Sequence, residues 1–170
     1  DNTAVDILGL LLERCPEAAR CADGDNNGVL PIHLALMTSK SPEFCRMLIE
    51  AYPGSERIAT SNGMVPCDIA LSDGAVVTAK YLLGLYPEGI NVATRGGTYP
   101  IHRAIARVTR EAPTNAFEMV QILLNCDINV ASQKLDGSFP LCVLYFTSMS
   151  FGEDATSKVN AAVKIAQTLY

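Results

Sequence analysis

The sequence contains no tryptophan, has few aromatic residues, and carries charge on only 18% of its 170 residues. It also lacks any apolar run that approaches the roughly 18 residues of a membrane-spanning helix. Its start has no basic stretch followed by an apolar one, as a secretory signal has. Because 49% of the residues are hydrophobic, the chain can still bury a core. We therefore expect a folded protein with no membrane insertion.

Positive charge is scarce as well. The chain has 13 Lys and Arg against 18 Asp and Glu, which gives a formal net charge of −5. Nucleic-acid binding depends on clustered cations against phosphate groups, and the basic residues here are scattered. We therefore expect no nucleic-acid partner.

The six cysteines show no C-x-x-C pair, and several occupy apolar positions of the repeat described below. Packed, reduced thiols fit this pattern better than a disulfide framework does. The cysteine pattern therefore favours a reducing intracellular compartment, and we expect a cytoplasmic protein without disulfides.

A possible calcium loop begins at residue 23, where the sequence reads DGDNNG. These residues match the first half of the pattern D-x-[DN]-x-[DN]-G. The second half fails, because Pro31 and Leu34 stand where the ninth and twelfth positions require oxygen ligands. A polar turn that satisfies its own backbone explains the segment better, so we expect no metal site.

One short frame recurs along the chain. A glycine suits the left-handed backbone of a tight turn, and a proline three residues later fits the first turn of a helix. Each copy therefore predicts a turn that leads into a short helix. The copies read GTYPIHRAI at 97–105, GVLPIHLAL at 28–36, GMVPCDIAL at 63–71 and GSFPLCVL at 137–144.

A second apolar segment with helical spacing follows each frame, at 44–49, 77–83, 119–124 and 165–170. We expect Ser41 to cap the helix that contains 44–49, which is the second helix of the first full copy, because Pro42 and Glu43 follow Ser41. Residues 6–16 align with 43–53 without a gap. These residues predict the second helix of a repeat whose first helix is not in the sequence. Because the sequence also begins with Asp and not Met, we expect it to be a piece of a longer protein.

The frame resembles the ankyrin repeat, whose motif at this place is Thr-Pro-Leu-His-x-Ala. The matching runs are PIHLA at 31–35 and PIHRA at 100–104. The family's threonine, which caps the first helix, is replaced by Leu30, Val65, Tyr99 and Phe139. The resemblance implies an all-α, ankyrin-type helical solenoid with short turns or β-hairpins between repeats. The single array would span 1–170, with a partial repeat at 1–24 and repeats at 25–60, 61–94, 95–134 and 135–170, the last cut short.

In the ankyrin family this histidine hydrogen-bonds the neighbouring hairpin, so the resemblance implies a structural role for His33 and His102. Asp68 takes the histidine's place in the copy at 63–71. A Cys67–His102 nucleophile pair is the catalytic alternative, but the sequence offers no orienting third group. We expect no catalytic residue, no cofactor and no enzyme activity.

By resemblance, the function is that of a protein-interaction scaffold, which binds a protein partner through the concave face of the array. Two alternatives remain: a regulatory or substrate-recruiting segment of a larger enzyme or channel, and a structural subunit of a large assembly. We expect Met37, Met64, Arg95 and Arg107 to contribute most to binding, because buried apolar and arginine anchors are typical of hot spots. The full set of candidate partner-binding residues, at turn tips and first-helix ends, is Asn26, Asn27, Val29, Met37, Thr38, Asn62, Met64, Ser72, Asp73, Arg95, Thr98, Arg107 and Phe146.

Overall fold

A computed structural model of the chain describes residues 2–22, 28–107 and 113–149, with the side chains of 113–114 and 145–149 left out. The chain forms two compact units, Asp1–Gly89 and Ile90–Tyr170. The boundary falls inside the predicted repeat 61–94, and the single array with its repeat bounds stays a prediction.

The described residues of the first unit form five helices. α2 packs against α3 and α4, α4 packs against α5, and α1 and α5 both pack against α3. Short 3-10 turns at Pro16–Arg20 and Ser55–Arg57 follow α1 and α3. The helices are α1 Asn2–Arg14, α2 Pro31–Met37, α3 Pro42–Ala51, α4 Pro66–Asp73 and α5 Val76–Leu85.

In the first unit, a shorter helix (α2 or α4) is followed by a longer one (α3 or α5). The second unit has the same order, with a short α6 before a long α7. α6 packs against both α7 and α8, and a 3-10 turn at Ile128–Ser132 follows α7. The charged, proline-containing stretch from 107 to 115 predicts a long link before the second helix of this repeat. The link is shorter than predicted, because α7 already begins at Pro113, a residue that suits the first helical position. The helices are α6 Pro100–Ala106, α7 Pro113–Cys126 and α8 Pro140–Met149. The polar stretch at 147–157 predicts an inserted surface loop, and it lies largely outside the described residues.

The turn-and-helix prediction for each frame is confirmed. Gly63 and Gly97 have φ angles of 79° and 73°, in the left-handed region that a side chain rarely adopts. Pro66 and Pro100 then open α4 and α6. Ser41 caps α3 as predicted, since its Oγ accepts the backbone N–H of Phe44 at 3.3 Å.

The all-α prediction is also confirmed. The described residues are mostly helical, and their only β pairing is an isolated antiparallel bridge between Leu135 and Ser138. None of the helices in this part of the chain is long and apolar enough to cross a lipid bilayer.

Apolar side chains at helical spacing make up the core of each unit. Ile32, Leu71 and Leu82 are fully buried in the first unit, and Ile101 and Met119 in the second. Burial of such side chains is the main stabilising term in folding, at about 1.5–3 kcal/mol for each large one.

Candidate interaction surface

Two buried histidines, one in α2 and one in α6, tie their helices to the next turn. In α2, the backbone N–H of Leu30 donates to Nδ1 of His33 at 3.0 Å. The other ring nitrogen, Nε2, lies 2.9 Å from the carbonyl oxygen of Ile58, which follows the 3-10 turn after α3. Since a carbonyl can only accept, Nε2 carries the proton. His33 therefore holds the start of its own helix and the next turn at once.

His102 repeats this arrangement in the second unit. Its Nδ1 accepts the N–H of Tyr99 at 3.2 Å, and its Nε2 donates to the carbonyl of Gln133 at 3.1 Å. The carboxamide of Gln133 also donates to Oδ1 of Asn91, at 2.6 Å. Both histidines are therefore structural ties of the same kind, one in each unit.

The environment of the histidines favours the neutral form of the imidazole ring. Burial lowers the pKa of His33 and of His102, and the hydrogen bonds to Ile58 and Gln133 oppose this only in part. With both nitrogens of each ring occupied by backbone groups, neither histidine is available as a general base. This occupancy removes the basis of the Cys67–His102 alternative.

Cys67 is equally unsuited to nucleophilic chemistry. Burial, with a smaller contribution from the negative charge of Asp68, raises the pKa of its thiol to about 12. Its Sγ lies against Gly89, where an added Cβ would come within 2.9 Å of it. Asp68 stands at the histidine position of this frame and is itself buried.

Two threonines, which sequence reasoning missed, shape the turn tips. Oγ1 of Thr60 accepts the N–H of Met64 at 3.3 Å, while its backbone N–H donates to the carbonyl of Met64 at 3.0 Å. Thr94 and Thr98 repeat both bonds in the second unit, at 3.2 and 3.0 Å. The sequence carries a signal for these bonds, because a threonine stands three residues before the glycine in the frames at 63–71 and 97–105. These bonds fix the tips that carry several candidate residues.

In the first unit, candidate residues gather at the ends of α2 and α4. Met37 lies in the last turn of α2 with 49% of its surface exposed, and Thr38 follows it at the surface. Oγ of Ser39 donates to Oδ2 of Asp73 at 2.9 Å, which links the end of α2 to the end of α4. Ser72, half-buried, lies next to Asp73. The structure therefore brings Met37, Thr38, Ser72 and Asp73 to neighbouring helix ends.

The turn tips of the first unit supply further candidates. Asn62 is exposed, whereas Val29 and Met64 are half-buried. Met64 is held by both of its bonds to Thr60, so its side chain leaves the tip from a fixed backbone. The exposed Leu34 of α2 was not among the candidates, although it lies one helical turn before Met37.

In the second unit, Arg95 is exposed in its turn, and Thr98 is half-buried. Arg107 follows the last residue of α6 and is half-buried, so it is less open than the other arginine. Asn26 and Asn27 lie outside the described residues. Phe146 lies within α8, but its side chain is outside the described set.

Metal binding finds no support in the described ranges, where no three His, Cys, Asp or Glu side chains come together as potential ligands. The six cysteines carry free thiols, with Cys45 and Cys67 buried and the other four exposed. The sequence matches no protein-family model, and no curated protein is similar enough to count as a match.

Proposed function

We propose that this chain is an ankyrin-type repeat protein that binds a protein partner through its turn tips and first-helix ends. The observation that carries the proposal is the exposed Met37 beside the Ser39–Asp73 hydrogen bond. An exposed apolar side chain among ordered polar ones has the composition of a binding hot spot, and burying a flexible methionine suits an adaptable interface.

The histidine ties support the same proposal. Each of them fixes a helix start to the following turn, so the tips and helix ends keep their spacing before a partner arrives. A preformed surface loses less conformational entropy on binding, which raises affinity without new contacts. In the ankyrin arrangement, this surface is the concave face of the array.

Affinity purification from cells followed by quantitative mass spectrometry tests the proposal. Alanine replacements at Met37, Met64, Arg95 and Arg107 are compared with charge reversals at Lys80 and Glu118, which are exposed on the second helices. We expect each alanine change to weaken recovery of the partner, by about 1–3 kcal/mol where the residue is a hot spot. Circular dichroism should stay unchanged.

A larger loss of partner recovery from the charge reversals at Lys80 and Glu118 would contradict the assignment of this surface.

The proposed compartment is the cytoplasm, or another reducing interior, since Cys45 and Cys67 are packed as free thiols.

A further inference from the structure

Helices α2 and α4 end next to each other in the first unit. α2 ends at Met37 and α4 ends at Asp73. The two helices pack together, and Oγ of Ser39, two residues after Met37, donates to Oδ2 of Asp73 at 2.9 Å. Because two residues of chain span at most about 7 Å, Met37 lies close to this bond. The structure therefore places an exposed thioether and a carboxylate at neighbouring helix ends.

These two helix ends concentrate negative potential. The carboxyl end of a helix carries partial negative charge, so a basic residue is favourable in the last turn and an acidic one is unfavourable. Neither α2 nor α4 has a basic residue in its last turn. α4 has Asp73 there instead, so the charge of the side chain adds to that of the helix ends.

No cation of the described residues neutralises Asp73. Its carboxylate accepts from Ser39 and makes no ion pair with a Lys or Arg of this part of the chain. Lys40 follows Ser39 and is exposed, yet it does not pair with Asp73. The two glutamates of α3, by contrast, both pair with Arg46. Asp73 therefore keeps the capacity to bind a cation from another molecule.

The charge of the first unit favours a basic partner over an acidic one. The unit has 12 Asp and Glu against 6 Lys and Arg. A surplus of this size attracts basic molecules and repels acidic ones during the diffusional encounter. A metal ion fits this point poorly, because one carboxylate and one hydroxyl supply too few oxygen ligands.

The exposed apolar residues of α2 specify the cation further. Met37 is 49% exposed, and Leu34, one helical turn earlier on the same face, is 40% exposed. Lysine and arginine pack their aliphatic stems on apolar surface while their charged heads stay in a polar environment. A basic side chain can therefore contact Met37 and Asp73 at once.

We propose that Met37 and Asp73 bind a lysine or arginine of the partner protein, next to an aliphatic residue that packs on Leu34. This inference rests on the proposed function, since it names the chemistry of the partner at that same surface. Lys40 lies beside this point and repels an incoming cation, so its charge weakens binding. The partner segment is thus basic and apolar in neighbouring positions.

The first probe is a library of short random peptides displayed on phage, selected on the immobilised intact chain and, in parallel, on Asp73→Asn. Asparagine keeps an oxygen that accepts from Ser39, so this variant loses the charge but not the link between the helix ends. We expect peptides selected on the intact chain to share a lysine or arginine beside an aliphatic residue. This pattern should be missing from peptides selected on Asp73→Asn.

The second probe is the most enriched peptide, made synthetically with a fluorescein label. Its control peptide carries norleucine at the basic position, which keeps the stem and removes the charge. Fluorescence anisotropy should show the control peptide binding about threefold to tenfold more weakly. Asp73→Asn and Met37→Ser should each weaken binding of the labelled peptide by a similar factor, and Lys40→Gln should tighten it.

Two matched variants control for charge and for apolar surface. Glu88→Gln changes the net charge of the same unit by the same amount at an exposed position, and Val77→Ser removes an exposed apolar side chain of α5. Each should change peptide binding less than about twofold. Urea unfolding should show no loss of stability in Asp73→Asn, because an acidic residue at a helix end is unfavourable in the free protein.

Four results would overturn the proposal. They are selected peptides without a basic residue, equal binding to the intact chain and to Asp73→Asn, an equal loss in Glu88→Gln, and self-association that Asp73→Asn abolishes. The last result would make a second copy the source of the cation. If Met37→Ala still lowers partner recovery from cells in these cases, the proposed function stands and only the basic anchor fails. If it does not, both fail.

Discussion

Replacing His33 tests how much one side chain contributes by holding two parts of the first unit together. In His33→Ala, the N–H of Leu30 loses its acceptor at 3.0 Å and the carbonyl of Ile58 loses its donor at 2.9 Å. The histidine ring is also fully buried, so its removal leaves a cavity. All three effects lower the free energy of unfolding.

The magnitude follows from where each group lies. Leu30 is buried, so its unpaired N–H costs about 1–3 kcal/mol. Ile58 is half-buried, and water can reach its carbonyl, which makes that loss smaller. With the lost packing of the ring, we expect His33→Ala to cost about 2–4 kcal/mol in total.

Two further variants separate the two bonds. The carbonyl oxygen of asparagine takes the place of Nδ1 and can accept from Leu30, whereas the amide of glutamine takes the place of Nε2 and can donate to Ile58. We expect His33→Asn and His33→Gln each to recover part of the loss. Urea unfolding followed by circular dichroism measures all three. A cost below about 1 kcal/mol for His33→Ala, or no recovery in either amide variant, would refute the reasoning.

Three other predictions concern acidity and packing. Burial lowers the pKa of His33 and His102 below the ordinary 6.5. As the pH falls through that value, both histidines therefore become protonated in the unfolded chain before they do so in the folded chain. The free energy of unfolding should therefore fall between about pH 7.5 and 5.5, with a smaller slope in His33→Gln, and unfolding in urea at each pH checks this. Gly89→Ala places a Cβ 2.9 Å from Sγ of Cys67 and should cost about 1–3 kcal/mol, but less in a Cys67→Ala background, which a double-mutant cycle measures. Burial raises the pKa of Cys45 and Cys67 to about 11 and about 12, so Ellman's reagent at about pH 8 should modify the four exposed thiols in the native protein and these two only after unfolding.

Much of the fold could be predicted because turn residues and helical spacing act locally. Glycine and proline at fixed spacing predicted the turns before α4 and α6, and Ser41 was predicted to cap α3 from its place before Pro42. These signals agree with the all-α class, which the resemblance to the ankyrin repeat implies. The start of α7 differs from the predicted link at 107–115, because the charged residues after Arg107 favour a longer link, whereas Pro113 suits the first helical position.

The candidate site could be predicted only in part, because exposure depends on what packs nearby. Leu34 and Ile69 are both aliphatic and share a repeat position, yet one is exposed and the other is buried. Sequence alone cannot distinguish them, since the difference comes from the neighbouring helix. The Ser39–Asp73 bond joins residues far apart in the sequence and left no local signal either.

Photo-crosslinking in living cells tests the central claim, that this chain binds a protein partner at its turn tips and helix ends. A photoreactive amino acid replaces Met37 or Met64 in two variants, and Val77 on the exposed side of α5 in a third. The account predicts that the first two variants crosslink to the same discrete partner protein and that the third does not. Crosslinking of that partner from Val77 alone, or equally from all three positions, would contradict it.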